Sequence, residues 1–174
     1  HVIERPIVQG RQSIESGRGA SSAHQNPFLV LRREHTTEAT GEALGLSLVH
    51  SGNFLADVEV DHWGVTRARI GINPDGFAWT VEPGGSFQAP EAVIAWTADG
   101  LTALSDAFHR LFRTRLARGP WRDRPRPVLV NNWEGTYFDF DEERIVAIAQ
   151  ASKDLGAELF VLDDGWFGDR NDDH

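Results

Sequence analysis

The sequence predicts two architectures in one chain, a β-sandwich portion and then the opening of a parallel α/β domain. Two observations carry that expectation. Up to about residue 98, short runs of β-branched and aromatic residues alternate with turn formers, the pattern of an antiparallel sandwich. Between residues 128 and 162, an apolar run, a helical pattern and a second apolar run succeed one another. That is the layout of a βαβ unit whose strands are covered on both faces.

The sandwich strands are expected at 28–33, 43–50, 54–63, 65–72, 77–81 and 92–96. Between them stand Ser51-Gly52-Asn53, Asn73-Pro74-Asp75-Gly76 and Pro83-Gly84-Gly85, residues whose dihedral preferences suit turns. Thr66, Ala68, Ile70 and Ile72 interleave with Arg67 and Arg69, an alternation expected of a strand with one face covered. The stretch 10–25 is rich in Ser, Gly and Arg and is predicted to be a long loop. After residue 100 the period changes. Leu101, Leu104, Phe108, Leu111, Phe112 and Leu116 follow helical spacing, and Gly119-Pro120 closes that helix. Residues 120–127 read as a linker, since proline denies backbone hydrogen bonds. A buried strand is expected at 128–130 and a helix at 139–155, capped by Asp139 or Asp141 and stopped at Gly156. A second strand follows at 159–162. The expected domain limits are 1–100 for the sandwich portion, 101–125 for a connecting helix and linker, and 126–174 for the opening of the α/β domain.

Composition removes several functional classes. The 174 residues carry a net charge of −9. Nucleic-acid affinity rests largely on neutralising phosphates, so no nucleic-acid partner is expected. Arg110, Arg113, Arg115, Arg118, Arg122, Arg124 and Arg126 form a basic stretch, read as a solvated face or a salt-bridged interface. Cysteine is absent, which excludes disulfides, thiolate metal sites and cysteine nucleophiles. No apolar run approaches the roughly 18 residues of a membrane span, and no signal-peptide pattern opens the chain. No membrane partner is expected, and the expected location is the cytoplasm. Methionine is also absent, and the chain is expected to be an internal segment of a longer protein.

Function is expected at the C-terminal ends of the parallel strands, where sites in barrels and open α/β sheets collect. The residues there are Asn131-Asn132-Trp133-Glu134 and Asp163-Asp164-Gly165-Trp166, a polar and aromatic mix that suits a carbohydrate. Consecutive Cα atoms lie about 3.8 Å apart. Glycoside cleavage needs two carboxyl groups flanking the scissile bond, about 5–5.5 Å apart for retention or 6.5–9.5 Å for inversion. Asp163 and Asp164 are therefore better suited to accepting hydrogen bonds from neighbouring sugar hydroxyls than to cutting. A turn cap or a metal-ligand pair is the competing account of the dipeptide. Trp133 serves equally as a platform for a pyranose ring or as packing, and Trp166 is read first as a core or barrel-rim residue. Asp163, Asp164, Asp169, Asp172 and Asp173 do not match a calcium loop. The histidines at 24, 35, 50, 62 and 109 lack ligand spacing. No metal and no cofactor are expected.

The stretches 126–140 and 158–168, with Asn131-Asn132-Trp133-Glu134-Gly135 in one and Leu162-Asp163-Asp164-Gly165-Trp166 in the other, closely resemble the bacterial α-galactosidases of glycoside hydrolase family 36. Ser51-Gly52-Asn53-Phe54, Ile70-Gly71-Ile72-Asn73-Pro74, Glu82-Pro83-Gly84, Pro90-Glu91-Ala92-Val93 and Phe108-His109-Arg110-Leu111-Phe112 carry the same resemblance. It covers essentially the whole chain. The resemblance implies an N-terminal β-supersandwich, a (β/α)8 TIM barrel and a C-terminal β domain, assembled as a homotetramer without a metal. This chain would be the end of the supersandwich followed by the first βαβ elements of the barrel.

The implied activity is retaining hydrolysis of terminal non-reducing α-D-galactose from oligosaccharides such as melibiose and raffinose. Carried across position by position, Asp163 and Asp164 match the carboxylates that bind galactose hydroxyls around O4 and O6, and Trp133 matches the tryptophan lining the sugar site. The family nucleophile stands in a Lys-Trp-Asp stretch on a later strand, and that stretch does not occur in these residues. No catalytic residue is therefore expected in the chain, which is expected to be inactive alone. The family loop Ser-His-Gln-His-Asn-Pro is altered to Ser22-Ala23-His24-Gln25-Asn26-Pro27, so no role is carried over to His24. The rival readings are an α-galactosyl transferase or α-N-acetylgalactosaminidase relative, a non-catalytic galactose-binding remnant, and a purely structural sandwich domain.

Overall fold

In the computed structural model, which describes residues 2–21 and 24–167, the chain divides into the units His1–Leu116 and Ala117–His174. The strands of the first unit are β1 (Gly10–Ser16), β2 (Phe28–Arg32), β3 (Ala43–Leu48), β4 (Phe54–Val60), β5 (Thr66–Ile72) and β6 (Ala92–Thr97). They form two antiparallel sheets of three, in the orders β1-β4-β5 and β2-β3-β6. Side chains from both sheets meet in one cluster. Leu48, Phe54 and Ala56 are buried there, with Ile14, Leu29 and Ile70 packed against them. Ile14, Ala56 and Ile70 stand opposite one another across the first sheet, as the two-residue period of a strand requires.

The other face of the second sheet carries the helix α1 (Gly100–Leu111). Leu104 and Phe108 bury against Ala43, with Val30, Val93 and Ala95 beside them. Gly45 is where the helix comes closest: a Cβ there would lie 2.5 Å from Phe108 Cε2. Strand β3 is thus covered on both sides, by a sheet and by a helix. The first three amides of α1 do not wait for a side-chain cap. Gly100, Leu101 and Thr102 donate to the carbonyls of Gly41, Thr37 and Glu38 at 3.0 Å each. The helix predicted to run through Leu116 widens to π geometry over Phe112–Leu116. Within that stretch the Thr114 hydroxyl donates to the Arg110 carbonyl at 2.7 Å, competing for an acceptor of the ordinary ladder.

Two expectations for this unit are corrected. Residues 10–16 form β1 rather than part of a loop. One inward apolar residue, Ile14, and the ion pair from Arg11 to the buried Asp57 at 2.6 Å suffice for an edge strand. Residues 77–81 form no strand, because they find no partner strand. Instead the rings of Phe77 and Trp79 pack on Phe87, with centroids 5.9 and 5.3 Å apart.

The turn between β4 and β5 is organised by Asp61. Its Oδ1 accepts the amides of Trp63 and Val65 at 2.9 and 3.0 Å, and its Oδ2 accepts the Arg67 guanidinium at 2.7 Å. Arg67, then the Val65 and Trp63 amides, hold the Asp61 carboxyl below its ordinary value. A depressed folded value means stability that is present above the unfolded value near 3.9 and lost as pH falls through the folded one. Asp61→Asn, which keeps the acceptor for both amides, is expected to be less stable than the parent at pH 7. The gap should close below pH 4; urea unfolding at a series of pH values checks this, and a pH-independent gap would refute it.

In the second unit, Pro120–Arg122 form a single 3-10 turn. Strand β7 (Leu129–Asn131), the short helix α2 (Trp133–Thr136), the helix α3 (Glu142–Asp154) and strand β8 (Leu159–Val161) follow. β7 and β8 are parallel, with Leu129, Val130 and Asn131 opposite Leu159, Phe160 and Val161. Of the two caps considered for α3, Asp141 is the one used, accepting the Arg144 amide at 2.8 Å. Asp139 takes the Arg144 guanidinium at 3.1 Å instead. The expectation of strands covered on both faces is not met: Leu129 is 50% exposed, and Leu159 and Leu162 are also exposed. Two strands with α2 and α3 supply too few neighbours to cover both sides of a parallel pair. No helix among the described residues is long and apolar enough to cross a membrane.

Candidate functional site

Two adjacent asparagines fasten the C-terminal ends of β7 and β8. Asn131 is exposed, and Asn132, one residue on, is 1% exposed. The Asn132 amide donates to the Val161 carbonyl at 3.3 Å, and its Oδ1 accepts the Asp163 amide at 2.8 Å. Its Nδ2 donates to Thr136 Oγ1 at 2.8 Å, and Thr136 is itself buried on α2. Every polar end of this buried carboxamide is used, which offsets the cost of removing it from water.

Asn131 faces the other way. Its Oδ1 accepts the Trp133 amide at 2.7 Å, and its Nδ2 donates to Asp163 Oδ2 at 2.5 Å. The second oxygen of Asp163 accepts the Asp164 amide at 2.8 Å. Asp164 is exposed, and its carboxylate has no partner among the described residues. The structure therefore brings the predicted site residues onto one strand-end cluster, with one carboxylate held and the other open. Trp133 is half-buried, its ring meeting Tyr137 and Phe138 edge to face at 5.2 and 5.0 Å.

The loop after α2 is tightly placed. Tyr137 sits at φ 49°, a conformation bulky residues rarely adopt. Arg144 reaches from α3 to the Gly135 carbonyl at 3.2 Å. A Cβ on Gly165, just beyond Asp164, would come within 3.1 Å of the Phe138 ring and 3.2 Å of Phe140. The two strand-end loops thus pack against each other, and the arrangement can present carboxylate acceptors beside an indole.

Of the two places considered for Trp166, core or barrel rim, the core is not the one it takes. It is 70% exposed, with the Phe167 ring at 5.8 Å beside it. Gly168, Asp169, Asp172 and Asp173 lie outside the described residues, as do Ser22 and Ala23. The seven arginines of the basic stretch are all exposed, Arg122 pairing with Asp123 at 2.7 Å. A hollow of about 260 Å³ in the first unit, lined by His50, Asn53, Asn73 and Phe77 among others, does not compete as a site. Its best polar group, Asn73, is spent on the Ser16 carbonyl and the Asp75 amide. What sequence reasoning missed is the asparagine pair. Its signal was two carboxamides directly after a predicted strand.

Known proteins bear on this chemistry. The glycosyl hydrolase family 36 N-terminal domain matches residues 1–82, and the melibiase family matches residues 86–174, about half of the chain. Together they define a class, the glycosyl hydrolases that carry a family 36 N-terminal domain. The chain belongs to the melibiase family. It is 57% identical over 172 residues to alpha-galactosidase AgaA of Geobacillus stearothermophilus, a match covering 99% of this chain and 24% of that protein. The crystal structure of AgaA superposes with a TM-score of 0.90 at 56% identity, over 97% of this chain and 23% of that one. A substituted AgaA in complex with raffinose gives 0.89 at the same identity and coverage. The chain spans about a quarter of the length of the curated relatives it matches.

Proposed function

We propose that the chain is the sandwich-to-barrel junction of a retaining α-galactosidase. The whole protein removes terminal non-reducing α-D-galactose from oligosaccharides such as melibiose and raffinose. The observation that carries this reading is the meeting of Trp133, Asp163 and Asp164 at the C-terminal ends of a parallel strand pair. Similarity to an enzyme whose substituted form was crystallised with raffinose supports it. In this reading β7, α3 and β8 open a (β/α)8 barrel, and residues 1–100, 101–125 and 126–174 are sandwich, connection and barrel start. Asp163 and Asp164 accept sugar hydroxyls, and Trp133 offers the ring face. The protein works as a cytoplasmic homotetramer. Adjacent carboxylates do not span a glycosidic bond, so the cleaving pair belongs to later strands of the longer polypeptide.

The test is expression of the full-length protein from its source gene, beside the isolated 174-residue segment. The full-length protein is expected to release galactose from raffinose, with the α anomer appearing first by NMR. The segment alone is expected to show no turnover, because two strands cannot close an eight-stranded barrel. Turnover by the segment would overturn the division of labour. Galactose binding without turnover by the full-length protein would favour a binding remnant.

A further inference from the structure

We propose that Asn131 is a positioning residue of the galactose site, joining its aromatic and carboxylate halves through one carboxamide. The inference rests on the reading of Trp133 and Asp163 as sugar-binding groups. Asn131 Oδ1 accepts the amide of Trp133 at 2.7 Å, while Nδ2 donates to Asp163 Oδ2 at 2.5 Å, across 32 residues of chain. Chemistry fixes which end faces which neighbour. An amide N–H needs an acceptor and a carboxylate oxygen needs a donor, so the reversed carboxamide would lose both bonds.

Asn131 is exposed, so these bonds are not needed to satisfy buried groups. That duty falls to Asn132, which is buried and grips the Asp163 backbone and Thr136. The two residues divide the work. Asn132 sets where the Asp163 backbone lies, and Asn131 sets how its carboxylate is turned and where Trp133 begins. With Oδ1 of Asp163 taken by the Asp164 amide, both oxygens are oriented before a sugar arrives. Preorganisation of this kind matters because a site held loosely by a fraction of an ångström loses affinity.

Asn131→Asp in the full-length protein tests this. The substitution keeps an acceptor for the Trp133 amide and sets an oxygen against Asp163 Oδ2. Two adjoining carboxylates repel when both are ionised and share a proton at lower pH, so the pair titrates with a raised apparent pKa and is driven apart above it. The KM for raffinose and the Kd for galactose are expected to rise ten- to a hundredfold at pH 8 and to recover towards pH 5. The pH profile of kcat/KM gains an ionisation that the parent lacks. Asn131→Ala is expected to show a similar rise without the added ionisation, and both variants to melt close to the parent. Parent-like binding and pH profiles in both variants would overturn the positioning role while leaving the site itself intact. Failure of both to fold would also overturn it, because the role would then be structural. A parent that binds no galactoside would instead remove the reading of the site on which this one rests.

Discussion

Asp163→Ala in the full-length protein is expected to lower kcat/KM for raffinose by about a hundred- to ten-thousandfold. A hydrogen bond to a charged group is worth about 1.5–3 kcal/mol, and a carboxylate receiving two hydroxyls stands to lose about 3–6 kcal/mol. At tenfold for each 1.36 kcal/mol, that spans the stated range. The loss is enlarged by what stays behind, because the Asn131 Nδ2 loses its acceptor and the Asp164 amide loses the oxygen it donates to. Initial rates with raffinose, alongside circular dichroism to confirm folding, give the answer. A folded variant within fivefold of the parent would remove Asp163 from the site.

The largest expected effect on stability is at Gly100. Its φ of +83° is open to glycine but costs other residues about 1–2 kcal/mol. A Cβ there would lie 2.5 Å from the Thr40 nitrogen, 2.6 Å from the Glu38 oxygen and 2.7 Å from the Ala39 carbonyl carbon. All three are backbone atoms and cannot rotate aside, so overpacking adds about 1–3 kcal/mol. The same loop supplies the carbonyls that receive the first amides of α1, so moving it frees the helix end as well. Gly100→Ala is expected to cost about 3–5 kcal/mol by urea unfolding. Gly64→Ala is the control, since Gly64 has φ +78° but open space around its missing Cβ. Equal losses in the two variants would show that the contact with the 38–40 loop carries no weight.

Strong local patterns were legible in the residues, and features made by distant partners were not. Five of the six expected sandwich strands are present because their apolar alternation and turn residues agree with each other, as in Thr66–Ile72 and the turn after it. The strand at Gly10–Ser16 was hidden because its stability comes from Arg11 meeting Asp57, a residue 46 positions away. Residues 77–81 have the composition of a strand but no neighbour to pair with. Helix α3 announced itself through Asp141 and Gly156, whereas α1 starts on carbonyls of a loop some sixty residues earlier, which no local motif encodes. At the site, Asp163, Asp164 and Trp133 could be named from their place after apolar runs. Asn131 and Asn132 stood among the same strand-end residues, but their bonds could not be read, because a carboxamide's partners are known only when both are in view.

The bonds made by Asn131 and Asn132 also set a constraint on chain length. Substitutions change one side chain at a time, but a single inserted or deleted residue between Val130 and Trp133 would shift Asn131 against the Trp133 amide two residues on, and the asparagines against Asp163. The buried place holds a group with all its polar ends used, and the exposed place holds the link to Asp163. Spacing along this stretch is therefore as restrictive as residue identity. The 77–81 stretch, which pairs with no strand and packs through rings such as Phe77 on Phe87, has far more freedom to vary in length.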